Sequence, residues 1–116
     1  MRVGLLCLTT LDAFFGPQTT RRAPAFIKFD IEGGSTEALP GCRQLFREAR
    51  PFVLIGSHMP EEDRAISNVL CEFDYCGYRL SNRKWVKKPG GIYPEKDGVL
   101  APCYWCLRNA ARVWRR

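Results

Sequence analysis

Phe26-Ile-Lys-Phe-Asp-Ile-Glu-Gly-Gly34 decides the fold, because it reads as a strand that carries charges where a buried strand has none. A helix-like segment, Ser35 to Arg50, follows at once, and then a second apolar run, Pro51-Phe-Val-Leu-Ile55. That order is a βαβ unit, whose central strands are expected to be apolar on both faces. Yet Lys28, Asp30 and Glu32 occupy alternate positions, and therefore one side of the strand. Open α/β sheets keep their ligand crevice at the carboxyl ends of the strands, where charges are tolerated. Two carboxylates and a lysine there predict a working site.

The flanking chain extends the pattern. Val3 to Thr9 is a candidate short strand, and Thr10-Leu-Asp-Ala-Phe-Phe15 opens a helix with Thr10 or Asp12 as its cap. Gly16 to Pro24 is punctuated as a loop, and Phe26 to Ile31 is the first full strand. Within Ser35 to Arg50, the apolar stripe Ala38, Leu39, Cys42, Leu45, Phe46 and Ala49 has helical spacing, with Pro40 awkwardly near its start. Pro60-Glu-Glu-Asp63 opens the next helix, with acids against the positive end of its dipole. Ile66, Val69, Leu70 and Phe73 supply its buried stripe, and Gly77 is the expected stop. A third strand is expected to begin at Tyr78, Asn82 to Asp97 reads as a loop, and Val99 to Leu107 as a last strand. The whole is an α/β sheet covered by helices, one domain over residues 1–116.

Bulk properties narrow the function. The 116 residues are 46% hydrophobic and 26% charged, the balance of a folded globular chain, and no apolar run approaches the length of a membrane span. The opening Met1 to Leu8 is too short and too bulky for a signal peptide, so the expected location is cytoplasmic. The net charge of +6 is concentrated in Arg79 to Lys88 and in a basic tail, 107–116. No nucleic-acid module accompanies that charge, so nucleic acid is not the expected partner.

Asp30, Glu32 and His58, the single histidine, fall at or just past the carboxyl ends of two consecutive strands. A right-handed crossover makes those strands parallel, and the three side chains could then meet as a general base for a hydroxyl or as a metal-binding cluster. Gly33-Gly34 would let the backbone turn sharply beside a ligand. The plainer alternative is that Asp30 and Glu32 cap the next helix or pair with Lys28, with His58 structural.

The cysteines offer a rival chemistry. Cys103-Tyr-Trp-Cys106 has zinc-ligand spacing, and Cys71 and Cys76 are a poorer second pair. Cys42 and Cys71 read better as core residues and the others as incidental thiols, and disulfides are not expected.

Thr9-Thr-Leu-Asp12, the Phe26 to Gly33 segment, Glu37-Ala-Leu39, Gly41, Arg50-Pro51, His58 and Gly77-Tyr78, in that order, resemble the C-terminal half of FkbM-type methyltransferases. Lys84-Trp-Val86 and Asp97-Gly98 resemble tail segments of the same family, so the resemblance covers residues 8–102. It implies a class I, Rossmann-like sheet, S-adenosyl-L-methionine as cofactor and a hydroxyl acceptor, often a sugar. It also implies Asp30, Glu32 and His58 as catalytic residues, with Lys28, Gly33 and Gly34 on the substrate. This chain has Gly34-Ser35 where the family continues with Ala-Glu, and Gly56 where it carries a glutamate. Nothing before Phe26 supplies the family's glycine-rich cofactor loop, so the expected sheet lacks the N-terminal cofactor-binding strands. Its first strand is left with an open edge that a homodimer or a partner chain would cover.

Overall fold

A computed structural model describes residues 4–5, 7–80, 83–86 and 103–109. In chain order the elements are α1 (Leu11–Phe14), β1 (Phe26–Phe29), α2 (Ser35–Ala38), a 3-10 turn (Leu39–Cys42), α3 (Arg43–Glu48), β2 (Phe52–Ser57), α4 (Pro60–Phe73), β3 (Tyr75–Arg79), β4 (Lys84–Val86) and β5 (Cys103–Asn109). The fold is mixed α/β, built on one five-stranded sheet in the order β1-β2-β5-β3-β4.

β1 runs parallel to β2, and β5 runs antiparallel to both β2 and β3. β3 is therefore parallel to β1 and β2, so three parallel strands are joined by helical crossovers, as the βαβ pattern predicts. The antiparallel β5 inserted between β2 and β3 was not foreseen. It pairs Val53 with Leu107 and Gly77 with Leu107, so one buried leucine ties the two parallel strands together.

The helices lie on one face, since α4 packs on α2, the 3-10 turn, α3, β2 and β3. Alternation along the strands sends Phe29, Val53, Ile55, Tyr75 and Leu107 into that layer. They meet Leu39, Cys42, Phe46, Ile66, Val69, Leu70 and Phe73 in a single core. Full burial of Phe46 or Ile66 stabilises the fold by about 1.5–3 kcal/mol each. The Tyr75 hydroxyl reaches the bottom of this layer and donates to the Pro51 carbonyl at 2.8 Å, so its burial leaves no polar atom unpaired. On the opposite face Phe26 stacks on Phe52, ring centroids 5.6 Å apart, with the Arg108 guanidinium 5.9 Å from the Phe52 ring.

Several local expectations are corrected. The helix expected over Ser35 to Arg50 is broken at Pro40, which has no N–H to donate, and the chain crosses Leu39–Cys42 as a 3-10 turn. Gly41 lies in that turn against Thr10, whose Cβ would stand 3.0 Å from any added methyl. β1 stops at Phe29 rather than Ile31. α4 ends three residues before Gly77, because Asp74 takes the left-handed conformation (φ 54°) and its N–H bonds back to the Leu70 carbonyl. Gly77 sits inside β3, which starts at Tyr75 rather than Tyr78. The expected loop from Asn82 contains β4, and the last strand runs on to Asn109, two residues past the expected Leu107, while 99–102 of its expected span lie outside the described residues. No strand forms among the described residues of Val3 to Thr9. Most of the basic loop and the basic tail lie outside the described residues, and among those described no helix is long and apolar enough to cross a membrane.

Candidate active site

β1 and β2 are parallel neighbours whose ladder closes at the pair Phe29 and Ile55. Beyond it β1 turns away while β2 runs on to Ser57 against β5, and the turns after the two strands carry the candidate residues. After β1 the backbone reverses through Glu32 (φ 38°) and Gly33 (φ 93°), and the Gly34 N–H closes the turn on the Ile31 carbonyl at 3.0 Å. Only glycine is comfortable near φ 93°, which is why Gly33 is required there. Glu32 adopts its positive φ as a strained residue at the tip. Thr36 Oγ1 then donates to the Gly33 carbonyl at 3.1 Å and starts α2.

Asp30 and Glu32 are both exposed, and Lys28 Nζ lies 3.9 Å from Asp30 Oδ2. An exposed pair at that separation is weak, worth under about 1 kcal/mol. His58 is half-buried on the turn after β2, and its Nε2 is buried with no hydrogen-bond partner. The structure thus brings the Asp30–Glu32 turn and His58 to the same end of adjacent strands. Lys28 stands one alternation back from Asp30 along β1, on the face away from the helices.

Gly33 and Gly34 are less open than the sequence suggests. A methyl at Gly33 would meet Met59 Cε at 3.2 Å, and one at Gly34 would meet the Ile31 carbonyl at 3.1 Å. Their amides are occupied as well, Gly33 by a carboxylate of α4 and Gly34 by Ile31.

That carboxylate belongs to Glu62, a residue sequence reasoning passed over as one of three helix-opening acids. Glu62 is fully buried; Oε1 accepts from the Gly33 N–H at 2.9 Å and Oε2 from the His58 N–H at 2.7 Å. Next to it Asp63, also buried, accepts from the Ser57 hydroxyl at 2.5 Å. The available signal was position, since a glutamate at the third helical residue commonly reaches back to the amides ahead of the helix.

The cavity nearest the turn, about 360 Å³, follows the outer edge of β1 and is lined by Lys28, Phe29, Ile31, Thr10, Glu37 and Gly41. Its size suits a small molecule. Of the two cysteines expected in the core, Cys42 is buried but Cys71 is exposed on α4, where the helix turns it away from the sheet. Cys76 is buried in β3, and Cys103 and Cys106 stand in an unbroken ladder opposite Ser57 and Leu54. Among the described residues no group of three or more His, Cys, Asp or Glu converges on a metal position. Burial pushes the Cys106 thiol upward, and burial together with the nearby Asp12 pushes the Cys42 thiol up to about 12.

The methyltransferase FkbM domain matches residues 6–80, from the first exposed segment through β3. The chain belongs to the FkbM methyltransferase family. The matched span contains β1, β2, α4 and every residue of the turns described above, so the candidate site of this FkbM-family chain falls wholly within it. No curated protein and no solved structure matches the chain significantly.

Proposed function

We propose that this chain forms the acceptor side of a methyltransferase site that methylates a hydroxyl of a small, sugar-like molecule. The observation that supports the reading is that the turn carrying Asp30 and Glu32 and the turn carrying His58 follow two adjacent parallel strands at their carboxyl ends. Asp30, Glu32 or His58 accepts the hydroxyl proton as the new C–O bond forms, and Lys28 steadies the acceptor from the neighbouring strand position. Gly33 and Gly34 shape the turn, with substrate passing over it rather than bonding to its amides.

The family implies S-adenosyl-L-methionine as methyl donor. The turn itself does not fit as its cradle: the Gly33 amide is taken by Glu62 and the Gly34 amide by Ile31. The part of the described residues is therefore to orient the acceptor and receive its proton. The test is methyl transfer from S-adenosyl-L-methionine to a panel of hydroxyl acceptors. Transfer to a sugar-like acceptor, abolished by Asp30→Asn in a chain that still folds, is the expected result. A folded chain that methylates no acceptor, or an Asp30→Asn chain that also carries Glu32→Gln and His58→Ala and still transfers, would sink the proposal.

A second reading is favoured by β1 itself. It is the edge strand of the described sheet, with Phe26 52% exposed in it and Ile31 47% exposed two residues beyond it. An apolar open edge supports a non-catalytic subunit that pairs through β1 with a second copy or a partner chain. A dimer that Ile27→Pro dissolves would favour it.

A further inference from the structure

Glu61 and Glu62 are successive acids in one helical turn, yet Glu61 is exposed and Glu62 fully buried. Burying a carboxylate is unfavourable unless hydrogen bonds replace its water. Local capping of α4 explains only half of what Glu62 does. Its Oε2 accepts from His58, four residues back and one beyond the N-cap Met59 that a helix-opening glutamate usually reaches. Its Oε1 accepts from Gly33, which belongs to the turn after a different strand. The β1–β2 ladder has already ended at Phe29 and Ile55, so beyond that pair the carboxylate spans the gap between the two turns. Ser35 Oγ and His58 Nε2, buried polar atoms without a partner among the described residues, lie on these same two segments. Orphaned atoms of this kind call for a ligand, a water or a functional role.

We propose that Glu62 is a positioning residue, a carboxylate clasp that fixes the spacing between the Asp30–Glu32 turn and His58. The inference rests on the reading of those three residues as the acceptor site. Glu62 acts only through the backbone amides of Gly33 and His58. The chemistry of the clasp is narrow. Glutamine has one acceptor oxygen, and its NH2 group would face an N–H donor, so Glu62→Gln can hold one turn and not both. Aspartate keeps both oxygens but is one methylene shorter.

The test begins on the unmodified chain, where NMR couplings across hydrogen bonds should link the Gly33 and His58 amides to the Glu62 carboxylate carbon. Their absence in the folded chain overturns the clasp, and this arm needs no variant. In Glu62→Gln, amide exchange at Gly33 or His58 should rise about tenfold or more. Val69→Ala, in the core away from the turns, should lower stability without raising exchange selectively at those two amides. Unchanged exchange in Glu62→Gln, or the same selective rise in Val69→Ala, overturns the proposal. If Glu62→Gln does not fold, Glu62→Asp is read in the same way. Methyl transfer to the hydroxyl-acceptor panel separates the two readings. No transfer by the folded, unmodified chain removes the acceptor-site reading and leaves the clasp to be decided by the ligand-free couplings. Transfer that Glu62→Gln leaves unaltered overturns the positioning role.

Discussion

Asp12 holds Leu45 across 33 residues: its Oδ1 accepts from the Leu45 N–H at 3.0 Å. Its Oδ2 accepts from Gln44 at 2.9 Å, so one side chain of α1 caps the first turn of α3, whose own N-cap residue, Cys42, makes no side-chain cap bond. Pro40 creates the need for this cap. By breaking the expected long helix it exposes a fresh set of unpaired amides, and Asp12 satisfies two of them. Asp12→Ala should therefore cost about 1–2 kcal/mol, the range for a lost N-cap. Urea unfolding measures it, and a change within about 0.3 kcal/mol would show that water replaces the carboxylate freely.

Cys42 lies under the same cap, and its pKa of about 12 makes stability depend on pH. The folded value lies above the ordinary one, so the unfolded chain releases its proton first as pH rises. Stability is full below about pH 8.5 and falls as pH climbs from there toward 12. The loss attributable to this thiol is on the order of a few kcal/mol at the alkaline end. Lysines and tyrosines titrate in the same range, so the readout is a difference. Cys42→Ala should be less stable than the unmodified chain at pH 8, and the gap should narrow by pH 10.5. A gap of constant size at both pH values would contradict the burial argument.

Much of the sheet was legible because its signals are local. The alternation at Phe26–Phe29, the apolar run at Phe52–Ile55 and the stripe Ile66, Val69, Leu70, Phe73 each declare their element within a few residues. Features decided by distant partners were not. Nothing near Cys103–Asn109 announces that it slots between β2 and β3, since that depends on which edge is free after both crossovers. The stop of α4 was assigned to Gly77 because glycine is the commonest residue at that conformation, yet Asp74 adopts it. The site divides in the same way. Asp30, Glu32 and His58 stand out as charges at strand ends, whereas Glu61 and Glu62 are chemically identical in the sequence. Only the rotation of α4 against β1 decides that Glu62 is the one facing inward.

The turn after β1 should respond oppositely to two substitutions. Gly33→Ala forces an alanine to φ 93° and should cost about 1–2 kcal/mol. Met59 Cε, 3.2 Å from the new methyl, is a flexible tip that can move aside, so the cost lies in the backbone. Adding Met59→Ala should therefore not rescue Gly33→Ala. Glu32→Gly relieves the strained φ of 38° and should leave stability equal or raised by up to about 1 kcal/mol, while erasing methyl transfer. Thermal melts paired with transfer assays test both. A Glu32→Gly chain that still methylates would remove Glu32 from the site.

Arg50 should prove the strongest of the surface cations, because of where its fork ends. Its Nη2 donates to the Phe73 carbonyl at 2.7 Å and to the Asp74 carbonyl at 3.1 Å, at the C-terminus of α4. These carbonyls have no helical donor, and a cation there also meets the negative end of the helix dipole. The guanidinium carbon lies 5.4 Å from the Tyr75 ring centroid, adding a contact that holds the fork in place. Arg43, by contrast, pairs with Glu72 on the exposed surface and should contribute under about 1 kcal/mol. Arg50→Ala should then cost about 1.5–3 kcal/mol, the range for hydrogen bonds that involve a charged group. Arg50→Lys should recover only part, since both bonds come from the single Nη2, which reaches further than a lysine Nζ, and the planar guanidinium beside Tyr75 is lost. Asp74→Gly, placed where φ is 54°, should gain about 1 kcal/mol and leave the Arg50 bonds intact, because they are made to backbone oxygens. Urea midpoints for the four variants Arg50→Ala, Arg50→Lys, Asp74→Gly and Arg43→Ala decide the order, and an Arg43→Ala loss as large as that of Arg50→Ala would overturn it.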